Sequence, residues 1–130
     1  MKLRDLIQHS AETMSPASTM REAAQAMIEG DVGSMGIVDD GALIGILTER
    51  DILEATARGI DFDQAVIGNH MTRNPDMFSP DTDVDQVAEW LLETGYRHVP
   101  VIDEDTSAIL SIRDILAAIV DPGRMRVLNP

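Results

Sequence analysis

The chain has 130 residues, enough for one domain or two small fused repeats, and no cysteine, which excludes thiol chemistry and zinc–thiolate sites. Its 23 acidic and 10 basic residues leave a net charge of −13, which argues against nucleic acid and anionic membrane as partners. One Trp, one Tyr and two Phe are too few for a base-stacking platform, and no apolar run approaches the ~20 residues that span a bilayer.

Residues 2–8 read as a short amphipathic helix through Leu3, Leu6 and Ile7, too short and too mixed for a signal peptide. A cytoplasmic protein is expected, and the absence of cysteine fits a reducing compartment. Ser15-Pro16 is a turn. Thr19 to Glu22 is a capping box, followed by Met20, Ala23, Ala24, Met27 and Ile28 at helical spacing. Gly30 is the expected C-cap. Ser34–Val38 reads as a strand, Asp39-Asp40-Gly41 as a hairpin turn and Leu43–Leu47 as the return strand. Thr48 then opens a helix ending near Gly59.

Residues 61–75 carry spaced apolar residues (Phe62, Val66, Ile67, Met71) and read as an ordered connector ending in the turn Asn74-Pro75. After it the order repeats. Met77-Phe78 is a short strand, Ser79-Pro80 matches Ser15-Pro16, and Asp83 to Gln86 is a second capping box. Val84, Val87, Ala88, Leu91 and Leu92 follow Met20, Ala23, Ala24, Met27 and Ile28 at an offset of 64. His98–Ile102 matches Ser34–Val38, and Asp103–Thr106 is the turn. Beyond the turn the offset becomes 63, aligning Ser111 with Thr48 and Asp114 with Asp51. A last helix runs to about Val120, and residues 122–130 read as a tail. Each half is strand, helix, strand, strand, helix, an internal repeat.

With its Ser-Pro turns, the strands Gly45-Ile46-Leu47-Thr48 and His98-Val99-Pro100-Val101-Ile102-Asp103, and two Thr/Ser-x-x-Asp junctions, the chain resembles a tandem pair of CBS (cystathionine β-synthase) domains over about residues 12–121. The resemblance implies an α+β fold of two β-α-β-β-α repeats related by a pseudo-twofold axis, sheets packed together and helices outside. It divides the chain into a first repeat with its N-terminal helix (1–60), a connector (61–75), a second repeat (76–121) and a tail (122–130). It implies clefts between the repeats for AMP, ADP, ATP, S-adenosylmethionine or NADH. In the preferred second-repeat cleft Ser111 would hold phosphate, Asp114 the ribose hydroxyls, Arg97 and His98 the phosphates, and Asp76 and Met77 would border the base. The first-repeat cleft would use Thr48 and Asp51, with Thr13 and Met14 near the base. There Gly33 and Ser34 replace Arg97 and His98, which removes the local cations and weakens the case for polyphosphate. Ala108 replaces Gly45, which would narrow a ribose's approach to the backbone.

The expected function is a regulatory sensor module, not an enzyme. It would need no cofactor, take an adenosyl ligand, form a homodimer and signal to an effector protein. The alternative is a ligand-independent protein–protein interaction module, because Thr/Ser-x-x-Asp at a helix start is also an ordinary cap. An N-cap with free N–H groups is equally an anion site, so capping and binding do not exclude one another. Arg50 and Arg113 lie inside the junctions, where they can pair with carboxylates or reach a phosphate. Trp90 lies beside an apolar stripe, as core edge or dimer contact. His9, His70 and His98 share no metal-ligand spacing.

Overall fold

The computed structural model describes residues 1–121, and the tail expected at 122–130 lies outside them. The chain divides into two units: residues 11–75, and residues 1–10 together with the chain from Asp76 onward. Each is α+β.

The unit 11–75 holds β1 (Thr13–Met14), α1 (Met20–Gly30), β2 (Ser34–Asp39), β3 (Ala42–Thr48), α2 (Glu49–Ala57) and β4 (Thr72–Arg73). They form one sheet in the order β1-β2-β3-β4, parallel at β1/β2 and antiparallel elsewhere. Thr19 caps α1 as the sequence predicts, accepting from the Glu22 N–H at 3.1 Å while Glu22 accepts from the Thr19 N–H at 3.0 Å. The C-cap is Asp31, in the left-handed region at φ 51°, rather than Gly30, which stays helical. Asp40 and Gly41 both take positive φ, which closes the β2/β3 hairpin in two residues with the twist that strands prefer. Pairing passes from Ile37↔Gly45 to Val38↔Leu43, so Ile44 is bulged out. That bulge absorbs the extra residue behind the change of offset from 64 to 63.

The other unit holds α3 (Val84–Thr94), β5 (His98–Ile102), β6 (Ser107–Ser111) and α4 (Ile112–Val120). The expected strand at Met77-Phe78 is reduced to one bridge, Phe78 to Val101. In the first unit the Gly36 N–H donates to the Glu12 carbonyl at 2.8 Å. The matching residue here is Pro100, which has no N–H to give. The second capping box is also absent: the Asp83 side chain makes no cap bond and instead accepts from Lys2 Nζ at 2.7 Å.

Residues 1–10 are assigned with the first repeat by sequence, yet they pack in the second unit. Leu3–Leu6 is a 3-10 turn; the Leu3 N–H donates to the Thr82 carbonyl, Arg4 to Pro80, and Val84 back to Met1, at 2.9–3.0 Å. The connector does the same for the first unit. Ile67–Asn69 is a 3-10 turn; Ile67 donates to Ser18, Gly68 to Pro16, and Met20 back to Ala65, at 2.8–2.9 Å. The two segments are equivalent leaders. Each seals a core, Leu3 and Leu6 closing over Val84, Val87, Leu91, Val99, Val101 and Leu110, and Ile67 over Met20, Ala23, Met27, Met35, Ile37 and Leu47. Leu3 and Ile67 are fully buried, and such burial contributes roughly 1.5–3 kcal/mol per side chain.

Candidate functional site

Both Thr/Ser-x-x-Asp junctions are reciprocal caps with nearly identical geometry. In the second unit the Ser111 N–H and Oγ donate to Asp114 Oδ2 at 2.8 and 3.0 Å, and the Asp114 N–H returns a bond to Ser111 Oγ at 3.2 Å. In the first, the Thr48 N–H and Oγ1 donate to Asp51 Oδ2 at 2.9 and 3.2 Å, and the Asp51 N–H donates to Thr48 Oγ1 at 3.3 Å. Each arrangement spends one carboxylate oxygen on the cap. A carboxylate accepts about four hydrogen bonds, so the second oxygen retains capacity for a ligand hydroxyl.

Of the residues assigned to the second-repeat site, the sheet brings Arg97, His98, Ser111 and Asp114 together. His98 pairs with Ser111 across β5/β6, and the Ile112 N–H donates to the Arg97 carbonyl at 2.8 Å. His98, Ser111 and Asp114 are partly buried, while Arg97 is exposed. Asp76 and Met77 are exposed and precede Phe78, whose N–H donates to the Pro100 carbonyl. Among the described residues neither Arg97 nor Arg113 has an ion pair. Lys2, Arg4, Arg21 and Arg50 are each paired, with Asp83, Asp81, Asp63 and Glu54. Arg50 is thus occupied by Glu54, which answers for that side chain the choice the sequence left open.

In the first unit Thr13 and Met14 form β1 beside Gly36 and Ile37, and Ser34 pairs with Thr48. The Glu49 N–H donates to the Gly33 carbonyl at 3.0 Å, the counterpart of the Ile112–Arg97 bond. Asp51 is half-buried. Burial pushes its carboxyl above the ordinary range, opposed by hydrogen bonds from Thr48 and from the Thr72 side chain. Gly45 does not face open space. A Cβ there would lie 2.7 Å from Met71 Sδ and 2.8 Å from the Thr72 carbonyl oxygen, so the missing side chain makes room for β4.

Sequence reasoning missed an open pocket of about 310 Å³ in this unit. One wall is the α2 face carrying Asp51, Glu54, Ala55 and Arg58; the other is Asn69, His70, Met71 and Thr72 of the leader. The available signal was a break in the repeat. His70 matches Leu6, Met71 matches Ile7, Glu54 matches Ala117 and Arg58 matches Asp121. Trp90 is partly buried and packs within its own unit, edge-on to Phe78 at 4.9 Å and tilted against Tyr96 at 5.4 Å.

Comparison with known proteins places this geometry. The CBS domain model matches residues 3–58 and 66–121, so the chain belongs to the CBS domain family, as a tandem pair. Each match begins at a leader. The chain is 34% identical over 121 residues to an uncharacterized 17.7 kDa protein of Acidianus ambivalens, covering 90% of this chain and 72% of that one. The crystal structure of the CBS-domain containing protein ATU1752 from Agrobacterium tumefaciens is similar at 30% identity and a TM-score of 0.85, over 92% of this chain and 99% of that one. The CBS domain pair of protein MJ0100, solved in complex with 5'-methylthioadenosine and S-adenosyl-L-methionine, is similar at 28% identity and a TM-score of 0.83, over 94% and 98% of the two chains. No described helix is long and apolar enough to cross a membrane.

Proposed function

We propose that this protein is a regulatory module that binds an adenosyl ligand at the Ser111–Asp114 junction and signals without catalysis. One observation carries the reading. In a chain of net charge −13, Arg97 and Arg113 lie together beside this helix start without an ion pair among the described residues, whereas Lys2, Arg4, Arg21 and Arg50 are neutralised and the other described arginines without an ion pair, Arg58 and Arg73, belong to residues 11–75. Unpaired guanidinium groups at a helix N-terminus favour an anionic group. Asp114 Oδ1 takes the ribose hydroxyls, Ser111 with Arg97 and His98 takes the anionic end, and Asp76 and Met77 border the base. The Thr48–Asp51 junction, with Thr13 and Met14, is the weaker position because Gly33 and Ser34 supply no cation. The adenosyl ligands of the MJ0100 pair support this class of molecule here. A ligand with higher affinity for one conformational state shifts the population toward it, by no more than that difference in affinity.

A second observation favours a protein interface. Ile112, Leu116, Ile119 and Val120 are exposed along one face of α4. A homodimer through that face, read by a separate effector, is the form in which the module acts. If no ligand binds, this interface alone defines an interaction module.

Thermal unfolding against AMP, ADP, ATP, S-adenosylmethionine and NADH tests the reading. Ligand at 100 times its Kd adds about 2.7 kcal/mol to the folded state, a rise in Tm of roughly 10 °C for a chain of this size. The rise should vanish in Asp114→Ala and persist in Asp51→Ala. No shift with any of the five at millimolar concentration defeats the adenosyl reading.

A further inference from the structure

We infer that the pocket between α2 and the leader of residues 69–72 binds a small phosphorylated polyol, with hydroxyls on Asp51 and Glu54 and phosphate on Arg58, Asn69 and His70. The inference deepens the weaker adenosyl position and rests on Asp51 accepting ribose hydroxyls; it adds the anionic contact which that position otherwise lacks.

The pocket is about 310 Å³, at the lower end of small-molecule sites, which run from roughly 300 to 1,000 Å³. Asp51, Glu54 and the C-cap residue Arg58 stand at helical spacing along one face of α2, with Asp51 about two turns, roughly 10 Å, and Glu54 about one turn, roughly 6 Å, from Arg58 along the axis. Thr72 lines the pocket together with Asp51. The donors already on Asp51 are the neutral N–H and O–H of Thr48, the O–H being the chemistry a sugar hydroxyl offers. Glu54 gives Oε1 to Arg50 at 3.2 Å, leaving Oε2 as an acceptor.

Within residues 11–75, Arg21 pairs with Asp63, Arg50 with Glu54, and Arg73 donates to the Gly68 carbonyl. Arg58 alone of these guanidinium groups has no such partner, and Asn69 and His70 leave their side-chain donors unpaired beside it. A phosphate matches that set, because guanidinium binds it through two parallel hydrogen bonds. The repeat supplies the contrast. In the other unit His70 is matched by Leu6, which is buried in the core, Glu54 by Ala117 and Arg58 by the acidic Asp121, while Asp114, Asp5 and Gln8 keep the positions of Asp51, Asn69 and Thr72 polar. The fold therefore does not require a histidine, a second carboxylate or a guanidinium at positions 70, 54 and 58. All three of these side chains line the pocket.

Ribose 5-phosphate is the probe, with ribose and inorganic phosphate as controls, titrated calorimetrically into the whole chain. Ribose 5-phosphate should bind, and each control should bind at least about tenfold more weakly. Arg58→Ala and His70→Leu should each weaken it about tenfold or more, and Asp51→Ala should abolish it. Circular dichroism checks that each variant folds. Arg58 is exposed at the end of α2, so its variant tests the site even if His70→Leu unfolds. Unchanged affinity in Arg58→Ala, or loss of binding in Asp114→Ala with Asp51→Ala unaffected, overturns the inference, as does no binding at 10-fold the concentration at which AMP saturates. AMP binding that depends on Asp114 would meanwhile leave the proposed function standing. Arg58-dependent binding of ribose 5-phosphate without a stability shift from any of the five adenosyl ligands would sustain the pocket and sink the adenosyl sensor.

Discussion

The two units share a skeleton position by position but fill it differently. Met20, Met27 and Met35 of the first core stand where Val84, Leu91 and Val99 stand in the second. The first gains a fourth strand on β3, whereas the second has the two-stranded sheet β5-β6. Two small substitutions account for much of this. Gly45 admits Met71 and Thr72 against the sheet, where Ala108 carries a Cβ, and Pro100 cannot donate the bond that Gly36 gives to Glu12. The lesson is that two copies of one fold can differ in strand number through backbone access as well as in the side chains of their cores. The flexible thioethers of the first core fill irregular space that branched side chains cannot.

The largest expected effect tests whether the leaders are equivalent. Leu3→Ala and Ile67→Ala should each destabilise the chain by about 2–5 kcal/mol in urea unfolding, since both side chains are fully buried. A loss below about 1 kcal/mol at one of them would show that only one leader seals its core. The next test concerns Gly45. Gly45→Ala should cost about 1–3 kcal/mol, because the contacts it meets include the Thr72 backbone and cannot simply rotate away. Slowed hydrogen exchange at Thr72 and Arg73 in the native chain should be lost in the variant. Ala108→Gly should cost less, about 0.5–1 kcal/mol, through chain entropy.

The smallest effect concerns pH. Burial raises the Asp51 carboxyl above its ordinary 3.8, so the folded chain holds that proton more tightly than the unfolded chain. The associated stability is present below pH 3.8 and is lost as pH rises through the folded value. The stability of the native chain minus that of Asp51→Asn should therefore fall as pH rises through this window, measured by urea unfolding at a series of pH values. A difference that rises with pH would mean the cap and Thr72 outweigh burial.

The junctions and hairpins were legible because each is local and appears twice. Ser111-x-x-Asp114 and Thr48-x-x-Asp51 carry their cap partners within one turn, and Asp40-Gly41 carries its own turn type. The leaders were not. Leu3, Leu6 and Ile67 declare that they are apolar, but nothing in that property says which core they enter. Asp83 shows the same limit: its spacing to Gln86 reads as a cap, and Lys2, far away in sequence, takes the carboxylate instead. The candidate pocket was hidden for a related reason. Its walls come from α2 and from a segment that reads only as a connector, and the repeat hides a site by directing attention to what the halves share.

The leader arrangement also has a consequence for synthesis. Residues 11–75 are contiguous, so everything that unit requires has left the ribosome once Pro75 has. Residues 1–10 emerge before them yet have no core to join until α3, β5 and β6 follow. Residues 1–10 are thus made before the unit 11–75 but placed after it, and a nascent chain halted after residue 75 should carry Leu3 and Leu6 uncovered, as a surface for chaperones to hold.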